Sequence, residues 1–176
     1  MNRRLGIVLL ANILLLWLAE LIHFGLTRYQ VTLLLPGLLL AFPALNLKPF
    51  PAVFAGALTG LWMDTASPAP FGLHTILFGF SIGIILQFRH RLHRENRTHG
   101  FILTHILNLV LVALLAIFLG RGFYFQPAYW MRIGVDLLAS HAILFLITPW
   151  FFQLQISALH LVGVQIFQDE IESESA

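Results

Sequence analysis

The sequence contains no cysteine, which excludes disulfide bridges, a thiolate nucleophile and any zinc or iron–sulfur site with cysteine ligands. Charged residues make up only 10% of the 176 residues, whereas a soluble domain has roughly 25%. Hydrophobic residues account for 59%, including 16 phenylalanines. A soluble protein of this size cannot bury so much apolar surface, so the composition predicts one domain that lies largely in a lipid bilayer. The basic residues are too few and scattered to predict binding of nucleic acid.

A membrane-spanning helix needs about 20 mostly apolar residues. The sequence offers six candidates and therefore predicts an all-α integral membrane protein, a bundle of about six transmembrane helices. The candidates are residues 5–24, 31–47, 51–63, 71–88, 100–119 and 133–152. The second contains Pro36 and Pro43, so the pattern leaves open whether it crosses the membrane fully. The tail, residues 153–176, is apolar enough as far as Phe167 to extend the sixth helix or lie along the interface, and it ends acidic.

Orientation follows from the arginine and lysine residues in short loops, which are retained in the cytoplasm. The six-span arrangement places seven of them on the side of the N-terminus: Arg3, Arg4, Lys48, Arg89, Arg91, Arg94 and Arg97. The other side has three: Arg28, Arg121 and Arg132. We therefore expect both termini in the cytoplasm. The basic loop, residues 89–99, is expected to anchor the chain at anionic lipid; the alternative is that it meets an acidic patch on a cytoplasmic filament protein.

A break separates the third and fourth candidate spans and contains the most conspicuous charge near a span. Asp64 closes the short third span, and Pro68 and Pro70 stop its helix. Ser67 is expected to cap the helix that restarts after Pro70, and Gly72 to let that helix start close to its neighbour. Two interpretations remain open. Either Asp64 and Ser67 satisfy freed backbone groups in a tight turn, or the broken segment is part of a binding surface.

Small residues spaced four apart flank this break. Gly56 and Gly60 lie before it, and Gly79 and Gly83 lie after it. Each pair has the GxxxG spacing that lets two helix backbones approach closely in lipid. We expect both pairs to hold the third and fourth helices together, so that a leucine at position 79 would force them apart. The alternative is a face for the single span of another protein.

Other polar residues near or inside the spans have simpler expected roles. Asn12 and Asn108 are predicted to form interhelical hydrogen bonds. Arg132 and Asp136 are four residues apart at the start of the sixth span, which allows an ion pair at the interface.

Sequence motifs of catalysis are scarce. The chain has no His-Glu-x-x-His motif and no paired-aspartate metal motif. Asp64 and His74 are the only titratable pair close in sequence within one motif, and acid–base chemistry requires such groups within mutual reach. We therefore expect neither an enzyme nor a cofactor or metal site.

Around Asp64 the sequence resembles the rod shape-determining protein MreD family of bacteria. The family motif has the form Gly-x-x-x-Asp-x-x-Ser-x-x-Pro-x-Gly, and here it reads Gly60, Asp64, Ser67, Pro70 and Gly72. The layout is also similar over nearly the whole chain, with an arginine-led N-terminus, five or six spans, a basic loop and a charged tail. The specific part of the resemblance is limited to residues 60–72.

The resemblance implies a non-enzymatic component of the machinery that elongates rod-shaped cells, in the bacterial cytoplasmic membrane. Members of the family act with the bitopic protein MreC and the actin-like MreB. Through these they connect to the glycosyltransferase RodA and a class B penicillin-binding transpeptidase. The family is also similar in fold to the six-helix substrate-binding subunits of energy-coupling-factor transporters. The alternative function is therefore a membrane subunit that binds a small solute, although few convergent polar side chains are available to line a chamber.

Overall fold

The computed structural model describes residues 3–26, 28, 31–67, 69–89 and 97–163, with the backbone alone at residue 97. All regular structure in these residues is helical: α1 (Arg3–Leu26), α2 (Pro36–Asn46), α3 (Pro49–Ala66), α4 (Leu73–Phe88), α5 (Arg97–Leu119) and α6 (Pro127–Leu161). Among them α1, α5 from Thr98 and α6 are long and apolar enough to cross a membrane. The predicted all-α class is confirmed for the described residues, and the number of crossings stays a prediction.

The second candidate span is a short helix enclosed by the others. α2 has 11 residues and is about 16 Å long at 1.5 Å per residue, whereas the hydrocarbon core is about 30 Å thick. Residues 31–35 precede it without helical structure, and Pro36 occupies the first helical turn, where proline is tolerated. Every residue from 36 to 45 is buried. α2 therefore forms the centre of the bundle.

A proline inside α2 creates a backbone deficit that α1 compensates. Pro43 has no amide hydrogen, so the carbonyl group of Leu39 loses its usual helical donor. The side chain of Asn12 donates to this carbonyl oxygen at 3.0 Å and to the hydroxyl of Thr59 at 3.1 Å. Thr59 in turn donates to the carbonyl of Ala55 at 2.8 Å. The predicted interhelical role of Asn12 is confirmed, and it joins α1, α2 and α3.

At the start of α2, the backbones of α2 and α5 approach each other closely. The amide of Gly37 donates to the side-chain oxygen of Asn108 at 3.1 Å, so the predicted interhelical role of Asn108 is confirmed. A Cβ atom at Gly37 would stand 2.6 Å from the amide nitrogen of Asn108. Only glycine therefore allows this approach.

The segment before α2 is fixed by side chains of α6. The amide of Thr32 donates to the carboxylate of Asp136 at 2.9 Å, and the amide of Leu34 donates to the hydroxyl of Ser140 at 2.9 Å. Alternate amides of an extended chain repeat at about 6.6 Å, and four residues of a helix rise about 6 Å, so the two spacings match. The ion pair expected between Arg132 and Asp136 is a wrong prediction, because the carboxylate turns inward to the backbone of residue 32.

One face of α6 is buried along almost the entire helix. The helix has 35 residues, and its buried positions recur at steps of three and four: Asp136, Ser140, Leu144, Thr148, Phe151, Gln155 and Leu159. At 1.5 Å per residue the helix is about 52 Å long, which exceeds the hydrocarbon thickness by about 20 Å. It continues through residues 153–161 of the tail, and residues 164–176 lie outside the described part of the chain.

Candidate functional site

The motif that carries the family resemblance lies at the junction of α3 and α4, which form the most extensive helix pair of the described bundle. Gly56 and Gly60 face α4 directly. A Cβ atom at Gly60 would stand 2.7 Å from the carbonyl carbon of His74 and from the Cα atom of Thr75, and one at Gly56 would meet the side chain of Ile82 at 2.5 Å. The first GxxxG pair therefore sets the distance between the two helices.

The second GxxxG pair does not contribute to this contact. A Cβ atom at Gly79 or Gly83 would meet nothing within 4 Å among the described residues. The buried face of α4 instead contains His74, Phe78, Ser81, Ile82 and Ile85. The helix-packing role predicted for Gly79 and Gly83 is thus wrong, and so is the prediction that a leucine at position 79 would force α3 and α4 apart. The spacing of the two glycines is that of a helix contact, but they point away from α3.

Asp64 caps the first turn of α4 from the last turn of α3. One carboxylate oxygen accepts from the backbone amide and the Nδ1 of His74, each at 2.9 Å. The other accepts from the backbone amide of Thr75 at 3.1 Å and from its hydroxyl at 2.7 Å. The first amides of a helix have no partner within it, and a negative charge at this end is stabilised by the helix dipole. The carboxylate therefore closes the break between the helices.

These four hydrogen bonds explain how Asp64 can be buried, with only 4% of its surface exposed. A buried carboxylate is costly unless hydrogen bonds and charges compensate it, and here both oxygens are engaged. The ring of His74 is itself buried and packs edge-on against Phe78, with ring centres 6.0 Å apart. These contacts agree with the interpretation in which Asp64 satisfies freed backbone groups. The carboxylate has no oxygen left over for a ligand in this conformation.

The remaining motif residues shape the turn differently from the prediction. The hydroxyl of Ser67 accepts from the amide of Ala69 at 3.2 Å, so it stabilises the turn and does not cap α4. Gly72 has a φ of 93° at the residue before α4, a conformation that costs other residues energy. A Cβ atom there would meet open space. Glycine is thus required for backbone conformation and not for a close approach. Pro70 accepts at its carbonyl from the amide of Leu73 at 3.1 Å.

The basic loop is described only at its first residue and from residue 97 onward. Arg89 is partly buried, and its Nη1 donates to the carbonyl of Leu47 at 2.5 Å, at the end of α2. This arginine therefore stabilises a helix end. Arg91, Arg94 and the side chain of Arg97 lie outside the described residues, so their predicted role at lipid or at a filament protein stays a prediction.

Several residues that complete the junction were not expected from the sequence. Thr75 supplies two of the four hydrogen bonds to Asp64, and Thr59 links α3 to Asn12. A threonine in an apolar helix gives no local signal of its partner, because the partner lies on another helix. No group of three or more histidine, aspartate and glutamate side chains that could hold a metal ion occurs in the described part of the chain.

Comparisons with known proteins do not identify a family for this chain. No family model matches the chain, and no curated protein or solved structure matches it either. The resemblance to the MreD family therefore stays a prediction that depends on residues 60–72 and on the layout of the chain.

Proposed function

We propose that this chain is a non-enzymatic membrane scaffold of the bacterial cell-elongation machinery, with a bitopic MreC-like protein as its direct partner. The proposal takes the family resemblance at residues 60–72 as its starting point. MreB-like filaments, a RodA-like glycosyltransferase and a class B penicillin-binding transpeptidase are then indirect partners. The location is the bacterial cytoplasmic membrane, with both termini in the cytoplasm.

The observation that carries the proposal is the open glycine pair on α4. Gly79 and Gly83 have the spacing of a helix-packing motif, yet a side chain at either position would meet nothing within 4 Å among the described residues. Helices associate in lipid through such small residues because the bilayer offers no hydrophobic drive for their contact. Ile76 and Phe80, exposed at 71% and 68%, border the pair. This face is suited to the single transmembrane helix of a bitopic protein.

The Asp64 junction supports the same proposal indirectly. Its four hydrogen bonds position the start of α4 relative to α3, and so they fix the direction in which Gly79 and Gly83 point. In this view the family motif does not itself contact the partner. It is the structural element that presents the docking face.

The test is co-purification of an MreC-like bitopic protein with the full chain in nanodiscs. A double substitution, Gly79→Leu with Gly83→Leu, should abolish co-purification while the folded yield is unchanged. Ala113→Leu is the control, since Ala113 is a small exposed residue on a different helix, α5. Undiminished partner recovery with the double variant would contradict the proposed docking face.

A second candidate function has one observation in its favour. The side chain of Gln155 is fully buried on α6, and neither its amide oxygen nor its amide nitrogen has a hydrogen-bond partner. Buried polar atoms of this kind usually have partners, and a bound solute would provide them in a substrate-binding subunit of the energy-coupling-factor type. Co-purification with a pair of ATPase subunits, in place of the bitopic protein, would favour this alternative.

A further inference from the structure

The connection between α5 and α6 contains a compact cluster of aromatic rings. Phe123 and Tyr129 stack with ring centres 6.2 Å apart, and Tyr124 and Trp130 stack at 6.5 Å. Tyr129 and Trp130 meet edge-to-face at 5.4 Å. We call these four residues the aromatic hairpin. Gly122, with a φ of 98°, provides a turn conformation that favours glycine.

The polar atoms of the aromatic hairpin are bonded to backbone carbonyl groups near the end of α5 and in the connection itself. The hydroxyl of Tyr129 donates to the carbonyl of Ala116 at 2.6 Å, and that of Tyr124 donates to the carbonyl of Ile117. The indole nitrogen of Trp130 donates to the carbonyl of Tyr124 at 2.9 Å. These polar atoms thus have partners without water, and the ring surfaces remain available for an apolar contact.

Much of this aromatic surface is exposed in the isolated chain. Phe125 at the tip is 98% exposed, and Phe123 and Trp130 are about half exposed at 51% and 45%. An exposed phenylalanine forgoes the stabilisation that removing its ring from water would provide, so several together need an apolar environment. Arg121 and Arg132 are exposed on either side of the cluster. They add positive charge to its border.

The lengths of the helices place the hairpin at a membrane surface. α5 has 23 residues and spans about 34 Å, close to the thickness of the hydrocarbon core, about 30 Å. α5 ends at Leu119, one short turn before Phe123, and α6 begins at Pro127. Aromatic rings with arginine neighbours are typical of the boundary between hydrocarbon and headgroups. The length of α5 and the composition of the connection therefore both place the aromatic hairpin at the boundary between hydrocarbon and headgroups.

We infer that the aromatic hairpin and Phe125 form a lipid-interface anchor, with the rings at the level of the glycerol groups and Arg121 and Arg132 on lipid phosphates. The inference depends on the membrane placement of α5 and α6 and is independent of the scaffold proposal. Because both helices are joined to this anchor, it sets the depth of the whole α5–α6 pair. The binding partner is the phospholipid surface itself.

The depth of Trp130 in nanodiscs tests the anchor. The chain has four tryptophans, so one variant retains only Trp130 and another only Trp17, which lies in the middle of α1 and is 64% exposed. Their fluorescence is measured with lipids brominated near the glycerol end, with lipids brominated near the methyl end, and with aqueous iodide. The chain without cysteine also allows a single spin label at position 125, with oxygen and water-soluble nickel as relaxation agents, should a tryptophan variant fail to fold.

The anchor predicts that shallow bromines quench Trp130 more strongly than deep bromines, and that the order is reversed for Trp17. Replacing Phe123 and Phe125 by serine should shift Trp130 toward quenching by iodide. The inference would be overturned if iodide strongly quenched Trp130 in the chain that retains Phe123 and Phe125 while neither brominated lipid had much effect. The rings would then lie in water. Stronger quenching of Trp130 by deep bromines would overturn it too.

Discussion

Two hairpins of this protein close their helix ends with opposite chemistry. Between α3 and α4, the carboxylate of Asp64 accepts hydrogen bonds from the amides that begin α4. Between α5 and α6, the hydroxyls of Tyr124 and Tyr129 donate to carbonyl groups near the end of α5. An acceptor serves the start of a helix and a donor serves the end of one, as the free backbone groups at each end require.

The difference between the hairpins lies in burial and charge. Asp64 is buried and ionisable, so its partners must compensate a charge, whereas the tyrosines are neutral and border an exposed loop. Hydrogen bonds to charged groups contribute about 1.5–3 kcal/mol, and those between neutral groups about 1 kcal/mol. The α3–α4 junction should therefore tolerate change much less than the α5–α6 junction.

The largest effect is expected at Gly60. A Cβ atom there would collide with the backbone of His74 and Thr75, which a rotamer change cannot relieve, so Gly60→Leu should destabilise the fold by about 3 kcal/mol. Folded yield and resistance to unfolding by SDS in mixed micelles provide the measurement. Gly79→Leu is the matched control, for which we expect a change within about 0.5 kcal/mol. Equal losses for the two variants would contradict the assignment of the helix contact to the first pair.

Removing the charge of Asp64 should have the next largest effect. Asp64→Asn places an amide nitrogen where the carboxylate accepted hydrogen bonds, so at least one donor of His74 or Thr75 loses its partner at a cost of about 2–3 kcal/mol. SDS unfolding checks this, with Thr75→Val as a control that removes one of the hydrogen bonds to the carboxylate but keeps its charge, and that should cost about 1.5 kcal/mol. A folded and equally stable Asn variant that nevertheless loses its partner would favour the binding-surface interpretation of the motif.

A smaller effect is expected at Asn12. It tests whether this residue acts by donating to the backbone or by packing. Asn12→Leu leaves the carbonyl of Leu39 without its donor, at a cost of about 1–2 kcal/mol. In a Pro43→Ala background the backbone regains an amide that can serve the same carbonyl. The two substitutions should then couple by about 1 kcal/mol in a double-mutant cycle. Strictly additive losses would mean that Asn12 acts through packing or Thr59 alone.

The smallest effect is expected at the aromatic hairpin. Tyr129→Phe deletes the hydroxyl that donates to the carbonyl of Ala116 and should cost about 1 kcal/mol, as for a neutral hydrogen bond. Tyr124→Phe, at a more exposed position, should cost less. SDS unfolding compares both with Asp64→Asn. A loss at Tyr129 as large as that at Asp64 would remove the contrast between the two hairpins.

The sequence predicted the composition of the α3–α4 junction better than its geometry. Gly60 and Asp64 were identifiable because a glycine spacing and a charge near an apolar span are local signals. The pair Gly79 and Gly83 has the same spacing as the pair Gly56 and Gly60, but spacing alone does not determine which side of a helix meets its neighbour. Thr75 and His74 bind Asp64 across a turn, and the family motif contains neither of them.

The short central helix was only partly foreseen. Pro36 and Pro43 indicated an interruption, and the structure shows a non-helical segment followed by a short buried helix in place of one continuous helix over residues 31–47. The partners of that segment, Asp136 and Ser140, are more than a hundred residues away in sequence, at separations of 104 and 106. No local pattern contains this information, because the pairing arises only when α6 folds beside α2.

That separation has a consequence for biosynthesis. Residues 31–46 emerge from the ribosome long before the side chains that satisfy their amides, since Asn108 follows Gly37 by 71 residues and Ser140 follows Leu34 by 106. Unpaired amides are not tolerated in hydrocarbon, so this segment cannot settle in lipid on its own when it leaves the insertion machinery. We therefore expect this segment to reach its final position only after α5 and α6 have been made. The second helix would then be the last to settle, although it is among the first to be synthesised.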